Sequence, residues 1–102
     1  MSKIGNAPKF KSEKQMFDWI WENREHKSEL SGQKLFPKGH SQWHWQFLHI
    51  LSKGTFPAYK LNQNNIILGT IFEHGNQNSY DKFNKKHDEL LAQYYSDKNI
   101  KH

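Results

Sequence analysis

WHWQFLHILSKGTFPAYKLNQNNIILGTIFEHGNQN occupies residues 43–78. At its start, Trp43, Trp45, Phe47 and His49 alternate with His44, Gln46, Leu48 and Ile50. A period of two places the first set on one side of an extended strand and the second set on the other. That alternation predicts a strand over 43–51, ending in a loop that carries Gly54 and Pro57. Phe56, Tyr59 and Leu61 are the loop's candidate anchors to the body. Asn65 opens a second, apolar and β-rich run, NIILGTIF over 65–72, and His74 closes it.

Working outward, Ser12 and Gln15 have the spacing of a helix capping box, and Glu13 suits the positive end of a helix dipole. Met16, Phe17, Ile20 and Trp21 then recur at helical spacing, so a helix is expected from Ser12 to residues 23–25. Between the helix and the strand, HKSELSGQKL at 26–35 turns about Ser31-Gly32 and predicts a small hairpin or knuckle. Beyond His74 a last helix is expected from residues 79–81, with Phe83, Leu90, Leu91 and Tyr94 as its core face. Residues 1–11 read as a flexible basic arm, 12–97 as one domain and 98–102 as a fraying tail.

Composition sets the limits. A chain of 102 residues holds one core, not two. Mean hydropathy is −1.04, so aliphatic side chains alone do not fill that core. Four Trp, four Tyr and seven Phe compensate, because each buries a large area. The formal charge is +5, which favours polyanionic partners through counterion release. Lys53 and Lys60 in the loop after His49, and Lys82, Lys85 and Lys86 on the last helix, are the candidate phosphate contacts. With no cysteine there is neither a disulfide nor a thiolate zinc site. No run is apolar and long enough for a membrane span, and MSKIGNAPKFK lacks the apolar core of a signal peptide. A cytoplasmic protein without membrane contact is expected.

The order strand, His, loop, Asn, strand, His, helix resembles the HNH, or ββα-metal, nucleases. WENREHKSELSGQKL is similar to the family's W..R.H followed by a two-cysteine knuckle, with Ser28 and Ser31 where the cysteines stand. LHILSKGTFP resembles HHIL.KG..P, and NIILGTIFEH resembles the family's Asn-led strand ending in His. The resemblance covers residues 17–95. It implies an α+β fold: a small ββα-metal core with an N-terminal helix and a long C-terminal helix.

The same resemblance implies a site. His49 matches the general base that activates water, a role suited to an imidazole at neutral pH. Asn65 matches the Asn that ties the loop together and helps orient that histidine. His74 matches a metal ligand, and Asn78, four residues on, is expected to join it through one helical turn. Mg²⁺ or Mn²⁺ is the implied cofactor, DNA the implied partner, and phosphodiester hydrolysis the implied reaction.

Two departures stand out. Leu48 occupies the position that usually supplies an Asp or His to the metal, leaving His44, Glu73 and Asp81 as other donors nearby in sequence. Ser28 and Ser31 cannot hold the structural zinc, which adds about 10 kcal/mol or more to small metal domains. No structural zinc is expected, and Trp21, Trp43, Trp45 and Phe47 are the candidate replacement for its stabilisation. The alternative function is an HNH-derived module, weakly active or inactive, that binds nucleic acid or a protein without cutting.

Overall fold

The computed structural model describes residues 9–100. Helix α1 is Glu13–Asn23, strands β1 and β2 are Phe47–His49 and Ile66–Leu68, and helix α2 is Asp81–Ile100. Short 3-10 turns at Trp43–Gln46, Pro57–Tyr59, Gln63–Asn65 and Gln77–Ser79 link them. The strands pair antiparallel, with Phe47 opposite Leu68, Leu48 opposite Ile67 and His49 opposite Ile66. Two helices and a two-stranded sheet make a small α+β protein.

Both helices begin where expected. The Ser12 hydroxyl accepts from the Gln15 amide at 3.2 Å. The Gln15 side chain reaches past the cap to accept from the Lys11 amide at 2.8 Å, a variation on the reciprocal box. Gly32 at φ 80° turns the segment after α1, and Lys27 bridges Lys34 as in a small hairpin. α2 continues to Ile100, three residues into the stretch expected as tail.

The first strand is shorter than its alternation predicts. Trp43–Gln46 coil into a 3-10 turn, and the cause is the buried Gln46 side chain. Its oxygen accepts from the Phe36 amide at 2.6 Å, and its nitrogen donates to the Phe36 and Trp43 carbonyls at 3.2 Å. An extended chain would break that set. Trp43 consequently packs edge-on against Trp21 and Phe47, whereas Trp45 stays 53% exposed. Trp45 is therefore not part of the aromatic core.

The sheet separates two apolar clusters. On one face Phe47, Ile66 and Leu68 meet Met16, Ile20 and Trp21 of α1 together with Leu35. On the other, Leu48, Ile50 and Ile67 meet Leu30 and Phe83, with Tyr80 and Leu90 at the edge. Phe10 also packs on the α1 cluster; residues 1–8 of the expected arm lie outside the described residues, as do 101–102 of the tail. The loop after β1 is pinned to α2, since Phe56 and Tyr59 contact Tyr94 edge-on.

Ser28 and Ser31 are part of a polar knot. Ser28 is buried, and its hydroxyl donates to Glu73 Oε1 at 2.6 Å while accepting from the Leu30 and Ser31 amides. The Thr70 amide donates to the same Glu73 oxygen at 2.8 Å. Burial pushes the Glu73 carboxyl upward, but hydrogen bonding from Ser28, then Ser31 and Thr70, outweighs it and holds the group below its ordinary value. A carboxylate knot thus binds the knuckle to the turn after β2.

Candidate functional site

His49 ends β1 on the face that looks toward α1, because Phe47, two residues earlier, packs there. Its ring lies 6.4 Å from that of Phe17. Nε2 is buried and lies 3.2 Å from Glu13 Oε2 on the first turn of α1. The approach has ion-pair distance but is off line for an aligned hydrogen bond. Lys53 Nζ grips both oxygens of the same carboxylate, at 3.0 and 3.2 Å.

Burial is the main influence on His49 and lowers its pKa from 6.5. Glu13 raises it, Lys53 lowers it, and His74 lowers it further. The net direction is down, which keeps the imidazole neutral at pH 7 and able to accept a proton.

Asn65 holds the loop in place. It is fully buried, its oxygen accepts from the Leu51 amide at 2.7 Å, and its nitrogen donates to the Leu51 carbonyl at 2.9 Å. The Asn65 carbonyl accepts from the Ile50 amide at 2.8 Å. These bonds fasten the chain just past His49, so Asn65 is a structural partner of the histidine and has no direct contact with it among the bonds described.

A cleft of about 450 Å³ is lined by His49, Ser52, Gln77, Asn78, Asn84 and His87, among others. His49 and Asn78 therefore share one wall-to-wall space. His87, which no sequence pattern singles out, lines the same cleft from α2. His74 is exposed in the preceding turn, edge-on to Trp45 with ring centres 5.8 Å apart.

The expected helical turn from His74 to Asn78 does not form. Gly75 has φ 94°, outside the right-handed helical range, and only Gln77–Ser79 coil afterwards. His74 and Asn78 offer one imidazole and one amide but no carboxylate, where Mg²⁺ usually takes carboxylates. Glu73 is turned inward to Ser28 and Thr70, and Leu48 is fully buried. Among the described residues no group of three or more His, Cys, Asp or Glu is arranged to hold a metal. The donor set does not fit a preformed divalent site.

Of the candidate phosphate contacts, Lys53 is paired with Glu13. Lys60, Lys82, Lys85 and Lys86 are exposed, the last three on α2 to either side of Phe83. Among the described residues no helix is long and apolar enough to cross a membrane. No protein-family model, no curated protein and no solved structure matches the chain.

Proposed function

We propose that the protein is an HNH-type nuclease that acts on DNA, with His49 as the general base. The observation that carries the reading is the half-buried His49 imidazole, its pKa lowered by burial, on the wall of a cleft about 450 Å³ in volume. The cleft has polar walls at Gln77, Asn78 and Asn84, and the protein is basic. Such a site suits a phosphodiester.

In the proposed step a water oxygen attacks phosphorus as its proton passes to His49, one P–O ester bond breaks, and the departing sugar oxygen takes a proton from solvent to leave as a hydroxyl. Asn65 keeps the backbone beyond the base fixed, so the ring stays in register with the cleft. Lys60, Lys82, Lys85 and Lys86 attract the phosphate backbone without reading sequence. Mg²⁺ or Mn²⁺ is the ion to supply in the assay. His74 and Asn78, the ligands that the resemblance implies, bring no carboxylate to it, so no step is assigned to it.

The test is nicking of supercoiled plasmid with Mg²⁺, with Mn²⁺ and with chelator, for the native protein and His49→Ala. Nicking that falls at least about 100-fold in His49→Ala is expected, in line with the usual worth of a general base. No nicking under either ion, or equal nicking by both proteins, overturns the reading.

Leu48 favours a second reading. It is fully buried where the resemblance calls for a metal ligand, which fits a nuclease scaffold retained for binding DNA without cleavage. Retention of plasmid in a gel shift, falling steeply with salt and unaffected by His49→Ala, would support that reading over the first.

A further inference from the structure

Three charged or titratable groups face His49: Glu13 from α1, Lys53 from the loop and His74 from the turn after β2. His87 of α2 lines the cleft with it. Among the described residues only Glu13 approaches a ring nitrogen, and it approaches the one that is buried. Lys53 fixes the carboxylate by contacting both of its oxygens. A neutral imidazole carries its proton on one nitrogen, and a carboxylate beside one nitrogen selects that nitrogen for the proton.

We propose that Glu13 is the positioning residue of His49: its carboxylate holds the proton on Nε2, sets the ring's orientation, and leaves Nδ1 as the nitrogen that accepts a proton from the cleft. This rests on the reading of His49 as a base. When water gives its proton to Nδ1, the imidazolium formed carries its positive charge beside the Glu13 carboxylate, which stabilises it. The off-line approach in the free protein is compatible with this role, because catalytic contacts of this type tighten when substrate is bound. Nothing near residue 13 in sequence announces it. Glu13 meets the ordinary needs of a helix start, and only the packing of α1 on the sheet brings it to His49.

The decisive measurement is the tautomer of His49, read from long-range ¹⁵N–¹H correlations of the native protein at pH 8. The Nε2–H form is expected to dominate. A dominant Nδ1–H form overturns the proposal with no variant needed. Glu13→Gln and Glu13→Ala should then lower the His49 pKa in an NMR titration, and Glu13→Ala should mix the two tautomers. Thermal melting confirms that each variant is folded.

In the plasmid assay Glu13→Gln should reduce kcat at least about 10-fold with little change in KM, by analogy with other carboxylate–histidine pairs. The acid limb of its pH profile should move to lower pH. An unmoved pKa and acid limb in a folded Glu13→Gln protein would overturn the proposal. If the native protein fails to nick plasmid, the nuclease reading fails. The tautomer and titration still decide whether Glu13 controls His49.

Discussion

Leu48 fills the space between the sheet and the turn that follows β2. A Cβ added at Gly69 would lie 3.1 Å from a Leu48 methyl carbon and 3.1 Å from Glu73 Oε1, so the three residues are closely fitted. Restoring a metal-ligating carboxylate at position 48 is the change that the sequence alone recommends. The packing argues otherwise. Leu48→Asp would place a carboxylate among Ile50, Ile67, Leu30 and Phe83, near the existing Glu73 carboxylate. The loss of buried methyls and the unpaired polar group should together cost at least about 3 kcal/mol. Leu48→Met, which keeps the volume, should cost less than about 1.5 kcal/mol. Urea denaturation measures both. A Leu48→Asp protein as stable as the native one would mean that this side chain does not lie in the core.

The sheet is the weakest element by its own length, since two strands of three residues are marginal in water. Its stability comes from neighbours. The Glu29 amide donates to the Leu68 carbonyl at 2.7 Å, and Glu29 Oε2 accepts from the Leu68 amide at 2.8 Å. Arg24 bonds that same oxygen and the carbonyls of Ile66 and Gln63, at 2.7 to 2.8 Å. The β2 edge is thereby closed by a side-chain pair rather than a third strand. Arg24→Ala should cost about 1.5–3 kcal/mol, the range for hydrogen bonds to charged groups. Arg24→Lys should recover only part of it, because an ammonium lacks the planar fork. Chemical denaturation of the two variants decides this.

This level of organisation was partly legible beforehand. Ser12 and the Met16, Ile20, Trp21 spacing announced α1, and Gly32 announced the hairpin, because caps and turns depend on nearby residues. The alternation at 43–49 misled, since Gln46 finds its partners at Phe36, which no local pattern reveals. The site divides in the same way. His49 and Asn65 could be singled out by position, whereas tertiary packing alone brings Glu13 to His49 and His87 to the cleft.

At the scale of the whole molecule, three groups give stability the same dependence on pH. Burial holds the folded-state pKa of His49 below 6.5. Glu73 lies below 4.5 through its hydrogen bonds, despite its burial. Asp18 is held below 3.8, chiefly by its hydrogen bond to Lys38. In each case the unfolded chain binds the proton first as pH falls, so folding stability rises with pH across the interval between the two values. For His49 the contribution is complete above its unfolded pKa and is lost as pH drops from 6.5 toward its lower folded value. For Glu73 and Asp18 the loss begins only below 4.5 and 3.8. Acid also adds positive charge to a chain that is already +5 at pH 7, which works against compactness in the same direction. Thermal melts should therefore show a midpoint that falls from pH 7 to pH 5 and falls again below pH 4.5. His49→Phe should flatten the first descent, and Glu73→Gln should flatten the second while lowering the whole curve, because the Ser28 hydroxyl and Thr70 amide lose their charged acceptor. A native midpoint that rises between pH 7 and pH 5 would mean that His49 is not held neutral by its surroundings, and the same result would remove the main support for its role as a base.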